Sequence, residues 1–442
     1  MRGILKLFQD VISLLRVFSI LVLALFLPQL FIWHNQNVQQ PQISSNSDGF
    51  KLGIESVSDS LASNLSVQGE ATCRVGLITN QTGTDQAGNR NIDILLNKGF
   101  DIKKVFTPPQ NKEIEKTLQS HNQNLKFAKQ IPVIALETKN GASLFTPQSL
   151  LDIDILMFDL QDAGMRQYGF ITLLLNAMQS SKMHKKKFIV LDRPNLLGWC
   201  MEGTCSFDPE KHIAAHIAED KMPIPMRHGM TVGELATYFN KNVLESPVDL
   251  QVIPMQHYNR QSEARKPLLC SLSPNISTID SCYGYSFLGF LGEVNPFEIG
   301  IGTDKAFQCI LLPEHIKFPK QKWHELRSVL KEHGIESKLH RCFSQRKKQY
   351  CSGVRLYIQD INRFSSFNTL IMVLKFFKES GITLAFSERF DKALGTHKVR
   401  SLLEGNISYT ELAFELNEEL QTFFKKAFSC FLYKPFPKMI HV

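Results

Sequence analysis

Short, continuously apolar segments alternate with segments of helical spacing over the first half of the chain, and this alternation limits the fold more than any other feature. The segments that favour strands are residues 74–79, 102–107, 131–137, 153–159, 187–192 and 248–255. Residues 92–100 and 171–181 repeat apolar side chains at helical spacing. Apolar strands separated by helices are typical of parallel sheets covered on both faces. Because crossovers between parallel strands are right-handed, we predict an α/β fold with a Rossmann-like parallel sheet.

The pattern changes in the second half of the chain. Strand-like segments 306–313, 335–340 and 353–360 accompany a helical segment at 367–380, and a capping box that begins at Ser408 starts a final helix. A length of 442 residues exceeds what one ordinary core holds. We therefore predict a Rossmann-like N-terminal domain at residues 50–255 and a smaller α/β (α+β) C-terminal domain at residues 256–442.

The first 49 residues differ from the rest of the chain. Arg2 and Lys6 precede an apolar stretch at residues 17–33, and a polar segment follows at residues 36–49. A basic start before an apolar stretch is typical of a signal peptide or a signal anchor. No small-residue cleavage motif follows, which favours an uncleaved anchor whose basic residues stay inside. We expect residues 1–49 to be a membrane anchor or signal segment with a polar tether. The protein would then be exported, and either membrane-anchored or periplasmic (extracytoplasmic).

Polar side chains follow three of the predicted parallel strands, at the point where each strand ends. Because the carboxyl ends of parallel strands meet at one edge of a sheet, where ligands bind, we expect these side chains to form a site. Another pair, Arg227 and His228, lies just before the capping box Thr231–Glu234, which starts a helix. The residues at the strand ends are Asn80, Gln81, Asp159, Gln161, Asp162, Arg166, Tyr168, Asp192, Arg193 and Asn195.

Several motifs are absent from the sequence, which limits the function classes. No G-x-G-x-x-G, P-loop or G-x-S-x-G is present, so we expect no nucleotide cofactor. His212 and His216 have the spacing of zinc ligands, but Ile213 lies where that motif needs glutamate, so we expect no metal. A net charge of +8 from mostly scattered basic residues does not favour nucleic-acid binding. Nine cysteines without a C-x-x-C pair leave disulfides open.

The remaining polar residues point to carbohydrate chemistry. Carboxylates, amides and guanidinium groups hydrogen-bond sugar hydroxyls, and two carboxylates can provide the acid and the base or nucleophile of glycoside hydrolysis. The predicted cleft has this composition, with four acids and two arginines: Asp159, Asp162, Asp192, Glu202, Arg193 and Arg227. These residues by themselves indicate a class of ligand and no particular reaction.

Six segments, in the same order along the chain, resemble the exo-β-N-acetylmuramidase family: residues 75–83, 158–170, 190–198 with Glu202-Gly203, 223–235, 273–278 and 390–396. The resemblance extends from about residue 50 to the C-terminus. It implies a cleft between the two domains that takes N-acetylmuramic acid from the non-reducing end of peptidoglycan fragments, without a metal or an organic cofactor. The matched segments would supply further substrate-binding residues: Glu202, Arg227, His228 and Asn275. Arg227 or Arg193 would suit the lactyl carboxylate of the sugar.

Two motifs differ from the family at their charged residues. The family has Ser-Pro-Glu-His-Gly after its second strand, whereas this chain has Thr107-Pro108-Pro109-Gln110-Asn111. The family also has Ser-Glu-Gly-Arg-Gly-Thr, whereas this chain has Glu298-Ile299-Gly300-Ile301-Gly302-Thr303. Proline and glutamine cannot transfer a proton at neutral pH. Two neighbouring acids, Glu113 and Glu298, are candidates to replace the lost glutamates.

The sequence therefore leaves two functions open. The first is an exo-acting glycoside hydrolase that uses Asp159, Asp162 or Glu293 with a relocated acid, and whose activity the substitutions would reduce. The second is a membrane-anchored protein that binds muramyl sugars without hydrolysing them. In both, the ligand is a peptidoglycan-derived muramyl saccharide.

Overall fold

Buried strands alternate with helices in the computed structural model of the protein. The structure describes residues 49–65, 73–108, 131–136, 138–139, 142–143, 145–205, 223–264, 266, 268–435 and 439–441. The strands are β1 Arg74–Thr79, β2 Asp101–Thr107, β3 Val133–Ala135, β4 Thr138–Lys139, β5 Ala142–Ser143, β6 Ile155–Asp159, β7 Lys187–Leu191, β8 Met201–Glu202, β9 Arg227–His228, β10 Leu250–Ile253, β11 Val294–Asn295, β12 Cys309–Pro313, β13 Ile335–Ser344, β14 Gln349–Ile358, β15 Ala385–Phe386 and β16 Ile440–His441.

Twelve α-helices, together with 3₁₀ turns at Ile54–Ser56 and Phe428–Cys430, complete the described elements. They are α1 Leu61–Asn64, α2 Asn91–Asn97, α3 Pro147–Leu150, α4 Gly169–Met183, α5 Val232–Asn242, α6 Arg260–Glu263, α7 Ile279–Leu291, α8 Lys320–Glu332, α9 Ser366–Glu379, α10 Glu388–Leu394, α11 Lys398–Glu404 and α12 Tyr409–Ala427.

Six parallel strands form the central sheet, in the order β10-β7-β6-β1-β2-β3. The register brings the end of β1 beside the end of β6, because Thr79 pairs with Asp159. Five of the six strands of this sheet match segments that the sequence predicts to within a few residues at each end, and β10 lies inside the predicted segment 248–255. The predicted Rossmann-like α/β sheet is therefore confirmed, and the carboxyl ends of its strands lie at one edge.

Both faces of the parallel sheet are buried, which explains why its strands are continuously apolar. Leu156 and Phe158 of β6 pack with helices α4 and α5 on one face. Ile155 and Met157 of the same strand pack on the other face with α2 and the segment that begins at Phe50. Alternate residues of a strand point to opposite faces, so each face receives its own apolar layer.

The later part of the chain forms a three-stranded antiparallel sheet in the order β12-β14-β13. Helices α7, α8 and α9 pack on it around a core that contains Phe287, Trp323 and Phe377. The final helix α12 belongs to two cores, because Leu416 lies in this one, whereas Leu420 lies in the core beside α4 and α5. This α+β arrangement agrees with the predicted fold class.

The sequence predicts the starts of helices α5 and α12 but does not predict helix α7. The capping boxes at Thr231 and Ser408 are both formed, as predicted. Helix α7 was not predicted, because Gly284 and Gly289 interrupt its sequence. An ideal Cβ at Gly284 would lie 1.6 Å from the carbonyl oxygen of Phe307. Glycine at this position therefore permits close packing of a buried helix.

The membrane segment expected at the N-terminus lies outside the described residues, which begin at Gly49. Within the part of the chain that the structure describes, no helix is both long and apolar enough to cross a membrane. All nine cysteines belong to the described part and carry free thiols.

Candidate functional site

The Asp159 carboxylate at the end of β6 is held inside the protein by an ion pair. Arg193 donates from Nε to Asp159 Oδ1 at 2.5 Å and from Nη2 to Asp159 Oδ2 at 2.9 Å. Asn91 donates from its amide nitrogen to Asp159 Oδ2 at 2.7 Å. The two charged side chains are almost completely buried. Asp159 and Arg193 therefore lie together at the sheet edge, where they form a bidentate ion pair.

Asp192 follows β7 and joins three parts of the chain. Its Oδ1 accepts a hydrogen bond from the N–H of Gly233 at 2.7 Å, in the first turn of α5. Its Oδ2 accepts from the hydroxyls of Thr231 at 2.8 Å and Tyr433 at 2.6 Å. Burial raises the pKa of Asp192 to about 6, although the hydrogen bond from Tyr433 lowers it. Asp192 thus fixes the start of α5 and the end of the chain to the sheet.

Asp162 and His228 form the part of the strand edge where polar atoms stay unsatisfied. His228 Nε2 lies 3.5 Å from Asp162 Oδ2, and both side chains are buried. His228 Nδ1 accepts from the N–H of Met230 at 3.3 Å, so a neutral imidazole carries its proton on Nε2, facing Asp162. Among the described residues, Asp162 Oδ1 and His228 Nε2 have no hydrogen-bond partner. Buried polar atoms of this kind mark places where water or a ligand binds.

Asn80 and Gln161 are joined through Thr82 at the end of β1. Asn80 Oδ1 accepts from the N–H and the hydroxyl of Thr82 at 2.8 and 2.6 Å. The Thr82 hydroxyl in turn accepts from the N–H of Gln161 at 2.9 Å. The Gln161 amide donates to the carbonyl oxygen of Pro194 at 2.7 Å. Asn80 Nδ2 has no partner within the described chain, so one more donor is available beside the acids.

The segment at Ser271 and Leu272 is hydrogen-bonded to residues that follow β1 and β6. Gln81 donates from Nε2 to the carbonyl oxygens of Ser271 and Leu272 at 3.0 and 3.3 Å. The Tyr168 hydroxyl donates to the carbonyl oxygen of Leu272 at 3.2 Å. Asn275, another predicted substrate-binding residue, lies in the next turn and is partly exposed. Two predicted sugar-binding donors are therefore engaged with the protein backbone.

Arg166 and Asn195 hold backbone segments together. Arg166 is buried and donates to the carbonyl oxygens of Thr204, Ile224 and Leu394 at 2.5, 2.8 and 2.7 Å. Asn195 donates to the carbonyl oxygen of Met230 at 2.9 Å and accepts from the N–H of Leu197 at 2.9 Å. These contacts give both side chains a structural role.

Glu202 and Arg227 form a second buried ion pair. Arg227 donates from Nη1 to Glu202 Oε1 at 2.5 Å, and it also donates to the carbonyl oxygen of Leu197. Glu202 Oε2 accepts from the Ser365 hydroxyl at 2.8 Å and from the N–H of Phe367 at 3.1 Å. Glu202 therefore connects β8 to the first turn of α9.

The candidate acids of the second half differ in exposure. Glu298 is buried and accepts from the N–H groups of Ile299 and Gly300 and from the Ser344 hydroxyl at 2.9, 3.1 and 2.6 Å. Glu293 is partly exposed and accepts from the Ser387 hydroxyl at 2.7 Å. Glu113 lies outside the described residues. Glu293 is thus the more accessible of the two described acids.

Glu298 fixes a loop whose path depends on glycine. Gly300 and Gly302 have φ angles of 81° and 83°, in the left-handed region that favours glycine. A Cβ at Gly300 would also lie 2.4 Å from the carbonyl oxygen of Lys305. Ile299 and Ile301, which precede Gly300 and Gly302, therefore lie in a loop of defined shape.

This loop forms one wall of an open cavity of about 360 Å³. Ligand sites in proteins are commonly on the order of 300–1,000 Å³, apolar and aromatic with a few polar groups. The cavity has this composition; its lining comprises Gln167, Tyr285, Gly289, Phe290, Gly292, Glu293, Ile299, Ile301, Phe307, Arg346, Arg389 and Ala393.

The cavity and the strand-edge cluster are connected through the loop after β6. Gln167 of this loop lines the cavity, and the ring of its neighbour Tyr168 packs against Tyr285 at 6.0 Å between centroids. Both amide atoms of Gln167 lack a partner among the described residues. A second cavity at the strand edge, lined by Thr82 and Arg193, has only about 90 Å³. Of these two cavities, the one beside Glu293 has the volume for a monosaccharide.

Four polar residues that line the larger cavity are not among the residues that the sequence singles out: Gln167, Tyr285, Arg346 and Arg389. Gln167 lies inside a recognised motif, so its position gave a signal. The other three lie on α7, on the β13–β14 turn and on α10. No local pattern links residues so far apart, and only packing brings them together.

The fold and this cavity define a two-core α/β protein with a sugar-sized, aromatic-walled cavity that carries a carboxylate and two guanidinium groups. Within the described chain, no group of acids, histidines and cysteines has a metal-binding arrangement. The chain belongs to the exo-β-N-acetylmuramidase NamZ family: the N-terminal family model matches residues 75–280 and the C-terminal model matches residues 283–433.

Individual relatives agree with this assignment. The chain is 31% identical over 375 residues to the peptidoglycan β-N-acetylmuramidase NamZ of Bacillus subtilis (strain 168), a match that covers 80% of this chain and 85% of the relative. A solved structure of a DUF1343 family protein from Bacteroides fragilis is 26% identical, with a TM-score of 0.72 over 87% of this chain and 99% of that chain. A second B. fragilis structure of that family, 22% identical with a TM-score of 0.65, covers 88% of this chain and 99% of its own, and supports the fold.

Proposed function

We propose that the protein is an exo-acting glycoside hydrolase that releases N-acetylmuramic acid from the non-reducing end of peptidoglycan fragments, at a rate reduced by its substituted motifs. The cavity beside Glu293 carries this proposal. Two matched segments of the chain contribute to it through Gln167 and Ala393, and the substituted motif contributes Ile299. Membership of the family supports the reaction class, and the size of the cavity supports a monosaccharide ligand.

The side chains around the cavity suit the recognition of a sugar ring. Tyr285 and Phe307 meet edge to face at 5.1 Å between centroids, and aromatic faces pack against the apolar C–H faces of sugars. The unpartnered amide of Gln167 can both donate to and accept from sugar hydroxyls. Glu293 is the carboxylate that would act as acid or base at the glycosidic oxygen. Asp162, with His228, would act from the adjoining strand edge.

A second candidate function is a binder of muramyl sugars that has lost hydrolysis. This candidate is favoured by the four substituted motif positions, Pro109, Gln110, Ile299 and Ile301. Ile299 and Ile301 line the cavity with hydrocarbon where the family motif has charge. Pro109 and Gln110 lie outside the described residues. The two candidates therefore share a ligand and differ in turnover.

Export and attachment to a membrane are part of the proposal. The basic residues Arg2 and Lys6, the apolar stretch 17–33 and the polar segment 36–49 support an anchor with a tether. Such an anchor would place the cavity outside the cytoplasmic membrane, where peptidoglycan is found.

A hydrolysis assay on the full-length chain separates the two candidates. We expect a chromogenic β-N-acetylmuramide to release its chromophore, and Glu293→Gln to lower kcat by about 10²–10⁴-fold. Asp162→Asn should also lower kcat, because Asp162 is the strand-edge acid that carries a buried oxygen without a partner among the described residues. Glu379→Gln, on the exposed end of α9, is the matched control and should retain the wild-type rate.

Binding of N-acetylmuramic acid without any release of chromophore would contradict hydrolysis and favour the binder. Release that is equal in wild type, Glu293→Gln and Asp162→Asn would show that neither acid carries the reaction.

A further inference from the structure

Arginines outnumber acids among the residues that line the cavity of about 360 Å³, although Arg346 is also paired with the buried carboxylate of Glu298, which does not line it. Its charged lining residues are two arginines, Arg346 and Arg389, and one acid, Glu293. The remaining lining is aromatic, aliphatic or glycine, apart from the neutral amide of Gln167. A low-polarity wall strengthens the interaction of a cation with an anionic ligand group. The cavity therefore favours a ligand that carries a carboxylate.

Arg389 is the cation with unused donors. Its backbone N–H donates to the Ser387 hydroxyl at 3.2 Å, but its guanidinium group has no hydrogen-bond or ion-pair partner among the described residues. Arg389 is exposed in the first turn of α10 and lines the cavity. A planar guanidinium group can bind a carboxylate through two parallel hydrogen bonds. Arg389 thus has the geometry and the free donors for such a contact.

Arg346 is fixed by the protein and has fewer donors to offer. It donates from Nε to Glu298 at 3.3 Å and from Nη1 and Nη2 to the carbonyl oxygens of Gly292 and Phe297 at 3.4 and 3.2 Å. Its side chain is nevertheless 43% exposed. A guanidinium group has five N–H donors, so two remain for a ligand. Arg346 can therefore assist Arg389 from a fixed position.

The arginines at the strand edge are already occupied. Arg193 is paired with Asp159, and Arg227 with Glu202, and all four side chains are at most 2% exposed. A ligand carboxylate at either arginine would have to compete with a buried protein carboxylate. This cost makes the open cavity the better place for an anionic group.

We propose that Arg389, assisted by Arg346, binds the lactyl carboxylate of the muramyl group and selects it over sugars without that carboxylate. This inference rests on the proposed function, because it assumes that the sugar occupies this cavity. Glu293 is an acid like the ligand carboxylate, so the two would repel each other, and it accepts a hydrogen bond from the Ser387 hydroxyl. The ligand carboxylate is therefore directed to the arginines and away from Glu293.

Isothermal titration of the full-length chain with N-acetylmuramic acid, its methyl ester and N-acetylglucosamine tests this inference. We expect the wild type to bind the free acid at least about tenfold more tightly than the neutral ester, because hydrogen bonds to charged groups are the stronger ones. Arg389→Gln should weaken binding of the acid by about 10- to 100-fold and leave the affinity for the ester unchanged. Arg389→Lys should retain part of the preference for the free acid over the ester, since lysine keeps the positive charge but lacks the two parallel donors of a guanidinium group.

Lys392→Gln is the matched control, because Lys392 lies on the same helix, α10, and does not line the cavity. It removes the same charge and should leave all three affinities unchanged. Equal wild-type affinities for the acid and the ester would overturn the role of Arg389 while leaving the proposed function in place. Equal weakening of both ligands by Arg389→Gln would also overturn it. Failure of the wild type to bind any of the three sugars would overturn the proposed function as well.

Discussion

Most buried charged side chains at the strand edge form ion pairs with one another. Asp159 with Arg193, and Glu202 with Arg227, are ion pairs removed from water. Such pairs stabilise the fold only while both partners are present, because loss of one leaves an uncompensated buried charge. Asp162 differs, since its Oδ1 has no partner among the described residues. Asp162 is therefore better placed than Asp159 or Glu202 to bind a ligand or a water molecule.

Asp192 predicts a pH dependence of stability at the level of a single residue. Burial raises its pKa from 3.8 to about 6, so the folded protein keeps a proton that the unfolded chain releases between these values. Its contribution is complete below the unfolded pKa and is lost as the pH rises through the folded pKa. We expect a loss on the order of 3 kcal/mol in the free energy of unfolding over this interval, absent in Asp192→Asn. Urea unfolding from about pH 4 to about pH 7 measures it.

The comparison between variant and wild type isolates this residue from the other acids. Asp249→Asn, at an exposed ion pair with Lys187, should keep the wild-type slope. Parallel curves for wild type and Asp192→Asn would contradict the prediction.

The helix starts show how local sequence becomes structure. In both predicted capping boxes the hydroxyl of the residue before the helix accepts from the backbone N–H of the third helical residue, which is Glu234 in α5 and Glu411 in α12. These contacts span four residues, so the sequence alone indicates them. Helix α7 also begins at a local cap, Thr278, but the glycines inside it disfavour a helix, and its sequence predicts it less clearly.

The two capping boxes should differ in their effect on stability. Thr231 accepts from the N–H of Glu234 and also donates to the buried Asp192 carboxylate at 2.8 Å. We expect Thr231→Ala to lower the free energy of unfolding by about 2 kcal/mol. Ser408→Ala removes an exposed cap and should cost less. Chemical unfolding of both variants at one pH provides the comparison, and a larger loss in Ser408→Ala would contradict it.

Contacts between distant segments join the two cores of the molecule. Arg166 follows β6 and reaches the carbonyl oxygen of Leu394 at the end of α10. Helix α12 extends the same connection, because its first half packs in one core and its second half in the other. The cavity beside Glu293 lies between segments that these contacts hold in place.

Arg166 is therefore expected to matter for the stability of the whole molecule. Lysine keeps the charge but cannot reach three carbonyl oxygens at once, so Arg166→Lys should leave buried acceptors unsatisfied. We expect a loss of about 3 kcal/mol or more in the free energy of unfolding, measured by urea unfolding with fluorescence and circular dichroism. Arg327→Lys, where the arginine donates to a single carbonyl oxygen, is the control. A loss no larger than that of the control would contradict this role.

The sequence by itself determined the parallel sheet, the starts of helices α2, α4, α5, α9 and α12, the polar residues at the strand ends and the resemblance to a family. These features depend on periodicity, capping and motifs, which act over a few neighbouring residues. Only the tertiary structure decided that Arg193 and Arg227 pair with internal carboxylates, and that Glu293, Arg346 and Arg389 share one cavity. Those relations join residues that are distant in the chain, and the packing of two cores, rather than any local preference, sets the distances between them.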